Sequence, residues 1–83
     1  MPKYAKPMYQ QVADALREEI YSGKNPPGSR LPSRTQLRER FDCSDQVINW
    51  AMRILHDQNL IETLHGVGVQ VAQTLPPRPA EPE

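Results

Sequence analysis

The residues best suited to chemistry in this sequence are basic side chains that cluster in one short window. From Lys24 to Arg40 there are five basic residues and one acidic residue, Glu39, a local excess of four positive charges. The whole chain of 83 residues has ten basic and ten acidic residues and is formally neutral. A local basic surface on a neutral chain is typical of a phosphate-binding face, although a solvated helix surface would give the same count.

A second group of hydrogen-bonding side chains recurs on one side of a predicted helix that begins at Ser44 and runs to about Gln58. Apolar residues at helical spacing mark the opposite, buried side. The exposed polar side carries Asp45, Gln46, Asn49 and Arg53. An amide side chain can pair with adenine, a carboxylate can accept a hydrogen bond from cytosine, and one helix fits the major groove of DNA. We therefore predict that Ser44 and these four residues read base edges.

Other polar residues are suited to binding phosphate, or lie in the turn of a predicted hairpin (the wing, residues 65–68). The start of a predicted helix at residues 33–35 offers backbone N–H groups and hydroxyls to a phosphate. Arg34 and Arg38 lie one helical turn apart and can add charge to the same strand. Glycines in the wing let the backbone approach a groove closely. The predicted phosphate and wing residues are Tyr9, Ser33, Arg34, Thr35, Arg38, His65, Gly66, Val67 and Gly68.

Composition argues against other classes of function. Cys43 is the single cysteine, so neither an intrachain disulfide nor a cysteine-based zinc site is expected. The sequence has no nucleophile–base pair and no phosphate loop, and the spacing of Asp42, Asp45 and His56 matches no metal-ligand pattern. No apolar run approaches the roughly 20 residues that cross a bilayer. We therefore predict a cytoplasmic, nucleoid-associated protein that is not an enzyme, needs no cofactor and has no membrane contact.

Hydrophobic periodicity predicts the elements that position these residues. Helical spacing over residues 9–20 predicts a first helix, which Gly23 ends in a left-handed conformation. Ser33 with Gln36 forms the capping-box pattern of a short second helix. After the third helix the period changes to two, which predicts a hairpin of strands at residues 60–64 and 67–71. The predicted fold is mainly α with a small β-hairpin, a three-helix winged helix-turn-helix.

The two ends of the chain lack periodicity. Residues 1–8 contain two prolines and predict a flexible arm. Residues 75–83 contain four prolines, which cannot join a helix or the interior of a sheet, so they predict a tail or linker. The folded domain is therefore expected over residues 9–74. The tail is either the natural end of the chain or the start of a connection to a second domain.

Two motifs are the most specific features of the sequence: PGSRLPS at residues 27–33 and HGVGV at residues 65–69. Together with the helical stripes around them, they make residues 9–72 resemble the DNA-binding domain of GntR-family bacterial transcription regulators. The resemblance implies a repressor that binds double-stranded operator DNA, usually as a homodimer on a near-palindromic site. It also implies a separate C-terminal effector-binding domain, which these 83 residues do not include.

The sequence departs from the family where DNA contacts are expected. The family commonly has Ser-Arg-Thr-Thr-Val-Arg at the positions of residues 44–49, which here read SDQVIN, so the usual arginines fall on Asp45 and Asn49. At residues 33–37 the family usually has Ser-Glu-Arg-Glu-Leu, and its arginine falls on Thr35. These changes predict an operator richer in A·T pairs, or weaker affinity. The alternative is a winged-helix module that binds a protein and reads bases less.

Three further residues have two interpretations each. Trp50 occupies a position that is usually charged in the family, and we predict packing at the edge of the core rather than contact with DNA or a partner. Tyr9 either donates its hydroxyl to a phosphate or packs at the start of the first helix. Cys43 is predicted to be a buried, inert thiol rather than a redox switch.

Overall fold

A computed structural model describes residues 6–64, 66 and 68–77 of the chain. This part of the chain forms three helices followed by an antiparallel hairpin, which confirms the predicted winged helix-turn-helix order. The elements are α1 (Met8–Ser22), α2 (Arg34–Phe41), α3 (Asp45–Asp57), β1 (Ile61–Leu64) and β2 (Gly68–Val71). The helix α1 begins one residue earlier than expected, and Lys6 before it forms an ion pair with Asp14 (Nζ–Oδ2 2.7 Å).

The helices begin and end where short polar residues and glycine predict. At the start of α2, the Ser33 hydroxyl oxygen accepts a hydrogen bond from the Gln36 N–H, and the Gln36 side chain accepts one from the Ser33 N–H. This arrangement is the predicted capping box. The Ser44 side chain caps α3 by accepting from the Val47 N–H. Gly23 ends α1 with φ of 91°. The cap hydrogen bonds satisfy backbone donors that a helix leaves open at its first turn.

A core of aliphatic side chains holds the elements together. Every element of the described chain contributes at least one side chain that is essentially inaccessible to solvent. The largest of these side chains are Leu16, Ile20, Leu37, Ile48, Leu55, Leu60, Val12 and Val71. Leu37 is the one buried residue of α2, so the attachment of this short helix depends on it and on the half-buried Phe41.

The segment before α2 pairs with the hairpin, which the sequence did not predict. The N–H of Gly28 donates to the carbonyl of Val71 (2.9 Å), and the N–H of Leu31 donates to the carbonyl of Val69 (3.0 Å). Arg30 forms an isolated bridge with Gln70. Through these bonds, residues 28–31 lie along β2 and form an isolated bridge beside the two-stranded sheet. The pairing places Arg30 beside the hairpin.

The first residues of the proline-rich tail lie against the domain. Leu75 packs on the core, and the Tyr21 hydroxyl donates to the carbonyl of Pro76 (2.9 Å). Residues 75–77 therefore follow the surface of α1, whereas the sequence predicted that the tail begins at residue 75. Residues 78–83, like residues 1–5 of the predicted arm, lie outside the described part of the chain.

Candidate nucleic-acid interface

Two adjoining grooves lie between the start of α2, the polar side of α3 and the hairpin. The first has a volume of about 300 Å³ and brings together Arg34, Asn49 and Arg53. The second, of about 460 Å³, is lined by Arg30, Ser33 and Arg34. The two grooves share Arg34, and together they form one concave surface that we call the arginine face. Elements far apart in the sequence therefore combine predicted phosphate residues with predicted base-reading residues.

Within the described part of the chain, the cations of the arginine face form no ion pair with an acidic residue. Arg30, Arg34 and Arg53 are exposed, and none lies within 4.0 Å of a carboxylate among the described residues. Asp57 lines the first groove but forms no such pair. Exposed guanidinium groups can form bidentate, charge-assisted hydrogen bonds with phosphate or with guanine. The arrangement is therefore suited to a polyanion.

Arg40 belongs to the same basic window but serves the fold instead. Its guanidinium group forms an ion pair and hydrogen bonds with the Glu19 carboxylate and lies 4.7 Å from the centre of the Phe41 ring. The hydrogen bond that Arg40 donates to Glu19 holds the pKa of Glu19 below its ordinary value, and the same bond raises the pKa of Arg40. The pair joins α1 to α2, so it fixes the helix that presents Arg34.

Arg38, a predicted phosphate residue, lies close to an anion that was predicted to read bases. Its Nε atom is 3.9 Å from Oδ1 of Asp45, and both side chains are well exposed to solvent. An exposed pair at this distance interacts weakly. The carboxylate nevertheless offsets part of the positive charge of Arg38. The sequence change that placed an acid at position 45 thus reduces the charge on this side of α3.

The predicted base-reading residues are all exposed, but they do not share one groove. Asn49 and Arg53 lie in the arginine face. Ser44 and Gln46 instead line a third, open groove of about 240 Å³ together with Tyr9, Val47 and Trp50. The polar side of α3 therefore faces two neighbouring surfaces, one cationic and one largely apolar.

The start of α2 keeps the features expected of a phosphate site. Ser33, Arg34 and Thr35 are all exposed. The first N–H groups of a helix have no intrahelical partner and, with the helix dipole, favour an anion. The oxygen of Ser33 is occupied by its cap bond to Gln36, while its hydroxyl proton is left to donate to an anion.

The predicted wing is described only in part. His65 and Val67 lie outside the described residues. Gly66 and Gly68 are exposed and have φ of 73° and 124°. A Cβ built on Gly68 would meet no other atom within 4 Å, so backbone conformation, rather than lack of space, favours glycine there. The hairpin turn thus has a backbone that side chains do not shield at these two positions.

An aromatic pair next to the start of α3 differs from the sequence prediction. Trp50 is 50% exposed and does not pack on the core, so the predicted core-edge position is wrong. Its ring centroid lies 4.9 Å from that of Tyr9 in an edge-to-face arrangement. Helical spacing could have predicted the exposure of Trp50, because position 50 lies one turn after the exposed Gln46. Tyr9 therefore packs on Trp50.

Few other groups in the described chain invite a chemical role. Cys43 is half-buried, and burial together with the charge of Asp42 raises the pKa of its thiol, which disfavours the reactive thiolate. Among the described residues, no three His, Cys, Asp or Glu side chains are grouped to hold a metal ion. No helix in that part of the chain is long and apolar enough to span a membrane.

Comparison with known families decides the classification. The family model described as "Bacterial regulatory proteins, gntR family" matches residues 8–71, most of the chain. The chain belongs to this family. The match includes all three helices and the hairpin, and so covers the arginine face.

Similar GntR-family proteins include named repressors. The chain is 37% identical over 68 residues to the mannosyl-D-glycerate transport/metabolism system repressor MngR of Escherichia coli, covering 82% of this chain and 28% of that protein. It is 42% identical over 67 residues to the histidine utilization repressor of Klebsiella aerogenes, covering 81% of this chain and 28% of that protein. The chain thus spans little more than a quarter of the length of these relatives.

A solved structure shares both the fold and the size of the domain. The DNA-binding domain of AraR, in a crystal structure of its complex with the operator ORR3, has a TM-score of 0.81 and 29% sequence identity to this chain. The similarity covers 87% of each of the two chains. The GntR-family domain described here therefore has the architecture of a domain that was crystallised on operator DNA.

Proposed function

We propose that this domain binds double-stranded operator DNA and serves a transcriptional repressor, with α3 in the major groove and the hairpin on the adjacent groove or backbone. The arginine face carries the proposal, because it gathers three arginines at the polar side of α3, none of which forms an ion pair among the described residues. The operator complex of the similar AraR domain and the named repressors among the relatives support it. These relatives are regulators, and no catalytic activity is proposed.

The residues divide into two roles in this proposal. Asn49 and Gln46 pair with adenine through their amides, and Arg53 donates to guanine or to a phosphate. Arg30 and Arg34 neutralise phosphates, as do the first turn of α2 and the hairpin turn. The remaining predicted contacts, from Ser44, Asp45, Tyr9, Ser33, Thr35, Arg38, His65, Gly66, Val67 and Gly68, are retained as proposals.

We also propose that the domain acts within a longer regulator. The chain covers 28% of the length of both MngR and the Klebsiella histidine utilization repressor, which leaves room in such proteins for an effector-binding domain. A homodimer on a near-palindromic operator would place two α3 helices about one DNA turn apart. A regulator of this kind works in the cytoplasm, at the nucleoid.

Salt dependence of binding tests the proposal. Fluorescence anisotropy with a labelled duplex, selected from a randomised pool, measures the affinity of the wild type, Arg34→Ala and Arg53→Ala at several salt concentrations. Neutralising phosphates releases counterions, so the logarithm of the affinity should fall linearly with the logarithm of the salt concentration. Each variant that removes a phosphate contact should bind more weakly and lower the slope by about 1.

Arg17→Ala provides the matched control. Arg17 lies on α1, pairs with Asp14 and lines none of the three grooves near α3. This variant should bind as the wild type does. If it weakens binding as much as Arg34→Ala, or if the wild type shows no salt dependence, the arginine face is not the DNA-binding surface.

A further inference from the structure

We propose that Trp50 is a specificity-determining residue that contacts the 5-methyl group of a thymine beside the base read by Gln46. The inference rests on the proposed DNA binding and deepens it. It extends the readout beyond hydrogen bonds, to an apolar contact on the side of α3 that faces away from the arginines.

The proposal rests first on the position of Trp50 on α3. Gln46 and Trp50 are four residues apart and line the same groove. Four residues advance about 6 Å along a helix, close to the distance between bases two steps apart in a DNA strand. A helix that brings Gln46 to a base edge therefore brings the indole within about two base pairs of that base.

The proposal rests secondly on the exposure of the indole. Trp50 is the one large hydrophobic side chain of the described chain that is exposed. An exposed aromatic ring on a predicted binding face is a common feature of recognition surfaces. The groove around it is continuous with the polar side of α3, because Gln46 and Ser44 belong to both. The surface is thus part of the candidate interface rather than a separate patch.

Tyr9 fixes the orientation of the indole. The two rings meet edge to face at an angle of 65°, with centroids 4.9 Å apart. Tyr9 lies on α1, so packing between α1 and α3 determines where the indole points. A ring that is held before binding loses less conformational entropy on contact with DNA.

The chemistry of the groove selects a methyl group. In the major groove thymine differs from other bases by its C5-methyl group, and apolar side chains contact it. Val47 and the two aromatic rings offer apolar surface. Gln46 beside them is suited to adenine. Together they fit a run of A·T pairs better than a G·C pair.

Deoxyuridine substitution tests the contact directly, since it removes only the methyl group. Each thymine of the selected duplex is replaced in turn, and affinities are measured for the wild type, Trp50→Phe and Trp50→Ala. The wild type should lose about fourfold in affinity at one or two positions, equivalent to about 0.8 kcal/mol for one buried methyl group. Trp50→Ala should be insensitive at those positions, and Trp50→Phe should keep part of the effect.

Intrinsic fluorescence provides a second, independent measurement. Trp50 is the only tryptophan in the sequence, so indole emission reports on this residue alone. Adding the selected duplex should change the emission and protect the indole from acrylamide quenching. Arg17→Ala serves as the control, because Arg17 lines none of the three grooves near α3 and the variant should show the same change.

The outcomes separate this inference from the proposed function. Absence of binding to any duplex would contradict both. Salt-dependent binding that requires Arg34 but leaves indole emission and thymine sensitivity unchanged would overturn only the role of Trp50. Emission that changes with protein concentration in the absence of DNA would instead assign the aromatic pair to contact between two copies of the chain, and would also overturn the inference.

Discussion

Arginine residues in this domain differ in role because they differ in partners. Arg40 pairs with Glu19 and joins two helices, Arg38 lies near Asp45, and Arg34 has no acidic partner among the described residues. The sequence predicted a basic window but not this division. An ion pair between α1 and α2 depends on how the two helices pack. A count of charges along the sequence gives no information about that packing.

The pair between Arg38 and Asp45 leads to a prediction about affinity. Asp45→Asn removes a negative charge from the first turn of α3 and frees Arg38. We expect affinity for a random duplex to increase severalfold at low salt, with a steeper salt dependence, because the carboxylate no longer offsets the charge of Arg38 or repels phosphate. Anisotropy titrations at two salt concentrations measure both quantities.

Glu39→Gln is the charge-matched control for this prediction. Glu39 lies on α2, is exposed and has no ion pair among the residues that the structure describes. Its replacement should raise affinity less than Asp45→Asn does. If Asp45→Asn instead loses affinity at one particular G·C pair, Asp45 accepts from cytosine, as the sequence predicted, and our expectation is wrong.

At the scale of elements, α2 has the least support from the core among the three helices. It has eight residues and one fully buried side chain, Leu37. The cap at Ser33 therefore matters both for the stability of the helix and for the anion site at its first turn. These two effects can be separated by the choice of substitution.

We predict that Ser33→Ala lowers the stability of the domain, whereas Ser33→Asp weakens its binding to DNA. Loss of the cap in Ser33→Ala should lower the free energy of unfolding by about 1 kcal/mol, or roughly 4–8 °C in melting temperature. Aspartate caps a helix as well as serine does, so Ser33→Asp should melt like the wild type. Its negative charge should nevertheless weaken DNA binding. Thermal denaturation and anisotropy check the two effects, and a stable Ser33→Asp variant with undiminished affinity would exclude a phosphate at this turn.

The sequence predicted elements more fully than contacts between them. Caps at Ser33 and Ser44, the left-handed Gly23 and the order of elements follow from local residue types, and the structure contains them. The pairing of residues 28–31 with β2 was not predicted, because it uses only backbone groups and has no side-chain pattern. The left-handed conformation of Asp42 was not predicted either, because aspartate adopts it only occasionally and its presence alone does not indicate it.

At the scale of the whole molecule, two ionised carboxylates of α1, Asp14 and Glu19, form ion pairs with basic residues. Burial raises the pKa of Asp14, but hydrogen bonds from Lys6 and Gln10 outweigh it, so the net pKa is lowered. The hydrogen bond from Arg40 lowers the pKa of Glu19. A carboxyl group whose pKa is lower in the folded state stabilises it at neutral pH, and this contribution disappears as pH falls through the folded-state pKa.

We therefore predict that the domain loses stability in acid, and that Glu19→Gln reduces this loss. The variant should be less stable than the wild type at pH 7, by about 1 kcal/mol or less because Arg40 is partly exposed. The difference should shrink as pH falls below the ordinary range of glutamate. Melting temperatures measured from pH 7 to pH 3 test the prediction. Glu39→Gln should follow the wild-type curve, and parallel curves for Glu19→Gln and the wild type would contradict it.

The hydrogen bond from Tyr21 to Pro76 has a mechanical consequence. Residues 75–77 line none of the three grooves around α3, so this part of the chain leaves those surfaces uncovered. Any polypeptide that continues past Pro77 starts beside a residue that is hydrogen-bonded to α1. Force applied past Pro77 would therefore reach the domain first through α1 rather than through β2.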